Sequence, residues 1–233
     1  MSVQQSDEAN FISCMNWFFR TLRKTEEDVR QDLEIAKLNT CKGRICDFGC
    51  GDGFSTLCLV SLLRVTKALG IDKVESEIVL AKFWPEAINK FLELPESYNV
   101  EEENRNRARS LLNLYHLIDF RVGDVVLGEK MPENIDVAYC NLLLVNIYNS
   151  AFGNRISGLI GVETAIKNIS KSINPGGYFL AIEQCGRGEL DFRQLFEKAD
   201  LVGEGECFLR KPITLEGRGI AEQRIRYVYQ KRN

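Results

Sequence analysis

Residues 44–53, Arg-Ile-Cys-Asp-Phe-Gly-Cys-Gly-Asp-Gly, constrain the fold of this chain more than any other stretch. A short apolar run ends in Asp47, glycine then occupies every second position, and the sequence from Thr56 to Leu63 is typical of a helix. Glycine permits positive φ and lets a ligand approach the backbone, and the N-terminus of a following helix offers free N–H groups. A strand, a glycine loop and a helix in succession predict a site for a nucleotide-like ligand.

The spacing of the three glycines separates this loop from the dinucleotide-binding loop. The dinucleotide fingerprint is G-x-G-x-x-G, whereas this chain has G-x-G-x-G at Gly49, Gly51 and Gly53. Asp47 would repel a pyrophosphate, but its charge suits a ligand that carries a cationic amino-acid head. Residues 47–53 resemble motif I of the class I S-adenosylmethionine (SAM) methyltransferases.

Four later segments extend this resemblance in the order that the family shows. Residues 67–72 predict a second strand ending in Asp72, about 20 residues after the loop, where a ribose-binding carboxylate belongs in such folds. The third predicted strand ends in a Gly-Asp pair at Asp124. Residues 135–141 are an apolar run typical of a fourth strand, and Pro175-Gly176-Gly177 resembles the turn before the fifth.

Strands and helices alternate along the chain, which is typical of a sheet with helices on both faces. We therefore predict an α/β fold: a doubly wound, mostly parallel seven-stranded sheet in three α/β/α layers, with the C-terminal antiparallel hairpin that closes the sheet in the family it resembles. The predicted strands are residues 44–48, 67–71, 118–122, 135–140, 178–183, 203–210 and 222–231. The predicted helices are residues 7–38, 54–65, 75–92, 157–172 and 191–199.

A chain of 233 residues can bury one good core, so we expect one domain with additions. Residues 1–40 are predicted to be a helical extension that could act as a lid, and residues 41–233 the SAM-binding methyltransferase domain. Residues 93–117 predict a helical insertion, whose charged face is either solvated or a surface for a partner. The aromatic residues at positions 17–19 either cover the cofactor or pack in the core.

The resemblance implies SAM as the cofactor and assigns its contacts. Asp47 would hold the methionine end together with the loop backbone, Asp72 would accept both ribose hydroxyls, and Asp124 would accept from the adenine amino group. Alternatively, Asp72 caps the helix that starts near residue 75, and Asp124 makes a turn. The predicted cofactor contacts are Asp47, Gly49, Cys50, Gly51, Asp72, Lys73, Asp124, Val125, Asn141 and Leu142.

The segment after the fourth strand, residues 141–161, should face the methyl group, because ligands of open α/β sheets lie beyond the carboxyl ends of the strands. Its polar and aromatic residues are either acceptor contacts or part of a turn that feeds the next helix. Methyltransferases that act on the amino groups of adenine or glutamine carry an Asn/Asp-Pro-Pro-aromatic sequence after strand four, and this chain has no prolines there. The resemblance therefore implies a small molecule or a protein as the acceptor. The candidate acceptor contacts are Asn141, Asn146, Tyr148, Asn149 and Phe152.

The resemblance also implies in-line transfer of an already activated methyl group, so positioning matters more than a catalytic triad. Tyr148 and Glu183 lie near predicted strand ends and are the candidates for a general base, although Glu183 could simply finish strand five. A second hypothesis is a non-catalytic, methyltransferase-like scaffold or sensor subunit that binds SAM. A third is an oxidoreductase of the same fold, which the glycine spacing disfavours.

The net charge and the cysteines limit the classes of partner and the cellular compartment that we expect. A net charge of −3 and a pI of about 5.5 argue against broad binding to nucleic-acid backbones. No apolar run reaches the roughly 18 residues of a membrane span, and the polar N-terminus does not resemble a signal peptide. The eight scattered cysteines predict free thiols, so we expect a cytoplasmic protein. No C-x-x-C occurs and His116 is the single histidine, so no metal site is predicted.

Overall fold

The computed structural model describes residues 3–95, 98, 100–151, 154–184, 192–210 and 222–232. Its strands are β1 (Lys42–Phe48), β2 (Arg64–Asp72), β3 (Ile118–Val122), β4 (Ile135–Asn141), β5 (Ile173–Gln184), β6 (Leu201–Arg210) and β7 (Glu222–Lys231). Its helices are α1 (Val3–Ile35), α2 (Phe54–Leu62), α3 (Glu75–Leu92), α4 (Glu102–Tyr115), α5 (Leu143–Ser150), α6 (Arg155–Ser172) and α7 (Arg193–Glu197).

The seven strands form one sheet in the order β3-β2-β1-β4-β5-β7-β6. Strands β1 to β5 pair in parallel, and β7 pairs antiparallel with both β5 and β6. The predicted fold class is confirmed. The strand order reverses between β1 and β4, so the crevice at the carboxyl ends of these two strands is the topological switch point, where open α/β sheets bind ligands.

Helices cover both faces of the sheet. Successive residues of a strand point to opposite faces, so neighbouring residues of β1 contact different helices. Ile45 of β1 packs into one hydrophobic cluster with Leu59 of α2 and Ile88 of α3. The next residue, Cys46, packs into the other cluster with Ile166 of α6. Helices α1 to α4 therefore form one outer layer, and α5 to α7 form the other.

The N-terminal helix α1 packs into the first of these layers. Phe18 and Phe19 are fully buried, and Phe18 contacts Phe54 and Trp84 at ring-centroid distances of 5.2 and 4.5 Å. Trp17 is half exposed and touches Phe54 edge-on at 5.9 Å. Two of the three consecutive aromatic residues are thus core residues in this structure.

Polar contacts fix the ends of α1 and α3. Arg226 of β7 donates to Asp32 of α1 at 2.7 Å, and both side chains are buried. Arg105 of α4 donates to the carbonyls of Leu92 and Leu94 at 3.4 and 3.0 Å, which satisfies acceptors at the C-terminus of α3. Residues Glu102–Tyr115 therefore form a helix that packs beside α3.

Several element boundaries differ from the predictions. Helix α2 ends at Leu62 and β2 begins at Arg64, because the residue between them is extended. Strand β5 begins at Ile173, because the Pro-Gly-Gly sequence lies inside the strand as an irregularity of its pairing with β4. The glycines predicted to turn the C-terminal hairpin, Gly217 and Gly219, lie outside the described residues.

The connections after β4 and after β3 contain very different amounts of helix. After β4 the chain forms α5 and α6, although only the second of these helices was predicted. After β3, residues 123–134 are all described, and they form turns and bends instead of a helix. None of the described helices is both long and apolar enough to span a membrane.

Candidate functional site

The glycine loop turns the chain at the end of β1 and is fixed to the neighbouring strand. Gly49, Gly51 and Gly53 have φ values of 74°, 53° and 87°, a region that glycine adopts readily and other residues rarely do. The N–H groups of Gly49 and Cys50 both donate to the carbonyl of Ile71, at 2.7 and 3.1 Å. The loop is therefore held at the carboxyl ends of β1 and β2.

Asp47, near the end of β1, is buried beneath the loop. Its Oδ2 accepts from Ser55 Oγ at 2.6 Å and from Thr56 Oγ1 at 2.7 Å, so the carboxylate holds the first turn of α2. Burial raises the pKa of Asp47 to about 6, although these two hydrogen bonds lower it. Its Oδ1 is buried and accepts no hydrogen bond from a described residue.

Asp72 ends β2 and joins the loop to the start of α3. Its Oδ2 accepts from the N–H of Gly51 at 3.0 Å, and its Oδ1 accepts from the N–H of Val74 at 2.8 Å. Val74 is the N-cap position of α3, so this contact forms a turn before the helix and does not cap an N–H group of its first turn. These two contacts leave the carboxylate able to accept more, because each oxygen retains a lone pair for a ligand hydroxyl.

Asp124 follows β3, and the described residues donate hydrogen bonds to only one of its two carboxylate oxygens. The N–H of Val126 donates to Asp124 Oδ1 at 2.8 Å, which is the local turn that the alternative interpretation predicts. Asp124 Oδ2 accepts no hydrogen bond from a described residue. The carbonyl of Val125 accepts from Asn168 of α6 at 2.9 Å, which holds this turn against the helix.

These strand ends surround one cavity of about 190 Å³. The predicted cofactor contacts that line it are Gly49, Asp72, Lys73, Asp124, Val125 and Asn141. The predicted contacts that are not among its described lining residues are Asp47, Cys50, Gly51 and Leu142.

Helix α5 presents one face to this cavity through Leu143, Asn146 and Ile147. Asn146 was predicted as an acceptor contact, whereas Leu143 and Ile147 were not identified from the sequence. Their i, i+3, i+4 spacing is that of a single helix face. This spacing would have identified the two residues if the segment had been predicted as a helix.

Leu143, a lining residue of the cavity, packs against the glycine loop at the end of β1. A Cβ atom added to Gly49 would lie 3.0 Å from Leu143 Cδ1, so the leucine side chain lies directly against the glycine. The cavity of about 190 Å³ is also smaller than the roughly 300–1,000 Å³ of most small-molecule sites. A ligand of the usual size therefore needs more room than the cavity offers, and Leu143 is the lining side chain that lies against the glycine loop.

Glu183 of β5 fixes the N-terminus of α5. Its two carboxylate oxygens accept from the N–H groups of Leu144 and Val145, at 2.9 and 3.0 Å. The N-cap position of α5 is Leu142, which has a φ of 61° and makes no side-chain cap. Burial raises the pKa of Glu183 to about 8, although the two backbone hydrogen bonds lower it. Glu183 is not among the described residues that line the cavity.

The other predicted residues of this segment have different surroundings. Asn141 Oδ1 is buried at the cavity and has no partner among the described residues, so it offers an acceptor to a ligand donor. Tyr148 packs against α6, where a Cβ atom added to Gly158 would lie 2.9 Å from Tyr148 Cδ2. Asn149 is exposed, and Phe152 lies outside the described residues.

Within the part of the chain that the structure describes, no group of three His, Cys, Asp or Glu side chains could hold a metal ion. Burial raises the pKa of the half-buried Cys41 thiol and of four buried thiols, and the four buried ones therefore stay protonated and pack as small apolar side chains. These residues are Cys46, Cys50, Cys58 and Cys140.

No protein-family model and no curated protein matches the sequence. Solved structures do match the fold. The N-methyltransferase NodS of Bradyrhizobium japonicum, solved with S-adenosylhomocysteine (SAH), is 13% identical, with a TM-score of 0.56 over 89% of this chain and 87% of NodS. The YcgJ protein of Bacillus subtilis is 13% identical, with a TM-score of 0.56 over 88% of this chain and 99% of YcgJ. The [4+2]-cyclase SpnF is 14% identical, with a TM-score of 0.56 over 89% of this chain and 80% of SpnF.

At these identities the comparisons concern the fold alone. The chain has the α/β fold of the class I SAM-dependent methyltransferases, with its glycine loop and acidic strand ends at the switch point. The cyclase among the similar structures means that this fold does not by itself specify the reaction.

Proposed function

We propose that this protein is a SAM-dependent methyltransferase that transfers a methyl group to a small-molecule or protein acceptor by in-line displacement. One observation carries the proposal: Asp72 and Asp124, at the ends of neighbouring strands, line a single cavity with Gly49 of the glycine loop. The fold and the G-x-G-x-G spacing agree with this interpretation.

The charges around the cavity favour a cationic ligand. Asp72 and Asp124 line it directly, Asp52 belongs to the glycine loop and Asp47 lies beneath it, and burial raises the pKa of Asp47 and Asp52. Lys73 is the cation of the lining, and it is exposed at the mouth. A pyrophosphate would be repelled here, whereas a sulfonium and an ammonium group would be attracted.

We assign each end of the cofactor to residues with spare hydrogen-bonding capacity. The lone pairs of Asp72 would accept from the ribose hydroxyls, and Asp124 Oδ2 would accept from the adenine amino group. Val125, which is nearly buried, would pack on the ring. Asn141 Oδ1 would accept from the methionine ammonium.

When bound, SAM supplies a methyl group already activated by its sulfonium. The chain then has to align the acceptor with that group and exclude water. Asn146 and Ile147, which line the cavity from α5, are the residues that we assign to the acceptor side.

The general base remains a prediction. Tyr148 packs on Gly158 of α6, and Glu183 has both oxygens engaged by the backbone of α5. These contacts favour a positioning role for Glu183. They also favour an acceptor that is nucleophilic without help from either side chain.

The second candidate is a methyltransferase-like protein that binds SAM or SAH without transferring a methyl group. The similarity to a cyclase supports this second candidate, because it indicates that a protein with this fold can have an activity other than methyl transfer. Both candidates require an adenosyl ligand in the cavity, so binding alone does not separate them.

A turnover assay separates the two candidates. The full chain is incubated with methyl-labelled SAM and panels of small amines, thiols, phenols and carboxylic acids, and with a set of proteins, and SAH release is measured. We expect SAH release that depends on one acceptor class and is lost in Asp72→Ala. SAM binding without acceptor-dependent SAH release would favour the non-catalytic candidate, and absence of binding would overturn both.

A further inference from the structure

A second cavity, of about 290 Å³, lies on the sheet face that β1, β2 and β3 share with α6. Its polar strand residues are Arg44, Lys67 and Arg121, and its other walls are Ile45, Ala68 and Leu69 of the strands and residues 131–135, which lead into β4. It shares no lining residue with the cavity at the glycine loop. The proposed methyltransferase function assigns no role to it.

The short β3–β4 connection explains why this space exists. Parallel strands are usually joined by a helix that covers the sheet. Residues 123–134 form turns instead, and they cover only part of this face. The uncovered positions carry cations in place of the apolar side chains that a packed helix would require.

Two of these cations are cross-strand neighbours. Arg44 and Lys67 are paired in register on adjacent strands, and Arg44 is half-buried. Like charges directly opposite each other on one sheet face are destabilising. An anion placed between the two side chains would remove this repulsion.

Neither cation is neutralised by a described residue. No hydrogen bond or ion pair joins the Arg44 or Lys67 side chain to any part of the chain that the structure describes. The nearby Asp136 is not among the described lining residues, and its oxygens accept from the Arg44 N–H and from the side-chain amide of Asn174, both at 2.8 Å.

The remaining charges leave the cavity basic. Arg121 donates to Asp119 through Nε at 2.7 Å, and a second nitrogen of the same guanidinium lies 2.6 Å from that carboxylate. Glu133 is the carboxylate among the described lining residues, and it is exposed. Arg44 and Lys67 are therefore the pair available to a ligand.

We propose that this second cavity binds a small phosphate-bearing molecule, with the phosphate between Arg44 and Lys67. A phosphate has several acceptor oxygens that match the fork of an arginine together with a lysine ammonium. The cavity is larger than the phosphate group needs, so the remaining space would hold the organic part of a phosphate ester. Inorganic phosphate and a phosphate ester share the same recognition chemistry.

The test is isothermal titration of the full chain with inorganic phosphate and, separately, with glycerol 3-phosphate, at an ionic strength held constant with NaCl. We expect saturable binding that Arg44→Gln and Lys67→Gln each weaken by at least about tenfold, since each removes a charge-assisted contact. Tighter binding of glycerol 3-phosphate would identify an ester as the ligand, and tighter binding of inorganic phosphate would identify the free ion.

The matched controls are Lys42→Gln and Arg64→Gln. These two exposed cations are also paired in register on β1 and β2, but they lie outside the cavity lining. We expect them to leave the affinity within about twofold, because charges in solvent are screened. Equal weakening in all four variants, or no saturable binding by the wild type, would overturn the proposal. If Arg44→Gln does not fold, Lys67→Gln carries the test, because Lys67 is exposed.

Discussion

Gly49 combines a backbone conformation that favours glycine with a close contact at the candidate site. Its φ of 74° favours glycine, and a Cβ atom there would press on Leu143. Gly51 has a φ of 53°, but a Cβ atom there would meet nothing within 4 Å. The two positions therefore share the backbone requirement and differ only in the contact with α5.

This difference predicts unequal costs for the same substitution. Gly51→Ala should lower the free energy of unfolding by about 1 kcal/mol, the cost of a left-handed alanine. Gly49→Ala should lower it by about 1–3 kcal/mol more, because Leu143 or α5 has to shift. Urea denaturation measures both values. The double variant Gly49→Ala/Leu143→Ala should lose less than the sum of its two single variants, and strict additivity would contradict the contact.

Two buried carboxylates make stability depend on pH in an unusual direction. In the folded chain the pKa of Glu183 is raised from 4.5 to about 8 and that of Asp47 from 3.8 to about 6. Each group holds a proton in the native state that the unfolded chain has already released. Their contribution to stability is therefore fully present at low pH and is lost as pH rises through these windows.

Between about pH 6 and 8 the effect belongs to Glu183, because Asp47 is already ionised. We expect the free energy of unfolding to fall across this window more steeply in the wild type than in Glu183→Gln, which has no proton to release. Urea titrations at closely spaced pH values measure the slopes. Equal slopes in the two proteins would show that Glu183 is ionised throughout.

At the scale of secondary structure, α1 is either a mobile lid or part of the core. Phe18 is fully buried against Phe54 and Trp84, whereas its neighbour Trp17 is half exposed. Core membership predicts that Phe18→Ala lowers the free energy of unfolding by about 3–5 kcal/mol.

Trp17→Ala is the matched control, and it should cost much less than Phe18→Ala because half of Trp17 is already in solvent. Chemical denaturation of both variants, with and without SAH, separates the two roles. A lid would give small losses for both variants in the absence of SAH and a larger loss for Trp17→Ala in its presence.

The elements predicted from the sequence are those with local signals. The glycine loop, the acids at strand ends and the apolar runs each occupy a few consecutive residues, and they place β1 to β4 and the surrounding helices within a few residues. Helix α5 was missed because its N-terminus has no local cap. The acceptor that starts it is Glu183, which is 39 residues away from Leu144, and sequence patterns do not reveal such distant partners.

The candidate site was predictable to a similar extent. Asp72, Asp124 and Asn141 line the cavity because parallel strands end at one edge of a sheet, which the strand pattern already implies. Asp47 was expected to touch the ligand, but in the structure its Oδ2 is engaged by Ser55 and Thr56. Which side of a carboxylate faces a cavity depends on packing, and the sequence contains no signal for it.

For the molecule as a whole, charge is divided between two cavities. Acids gather at the carboxyl ends of the central strands, around the cavity that contains Asp72 and Asp124. On one sheet face lie Arg44 and Lys67, two cations whose side chains have no partner among the described residues. A net charge of −3 is a sum over the chain and does not show where the charges lie. It therefore argues against broad phosphate binding but says nothing about a local phosphate site.

The most direct test of the central claim is isothermal titration of the full chain with SAM, SAH and NAD. The account predicts micromolar binding of SAM and SAH and no binding of NAD. Asp72→Ala should weaken SAH binding at least about tenfold, because it removes the acceptor for two hydroxyls. Asp119→Ala, which changes a carboxylate on the face of β3 outside the cavity lining, should leave the affinity unchanged. Unaltered SAH affinity in Asp72→Ala, or binding of NAD in place of SAM, would contradict the account.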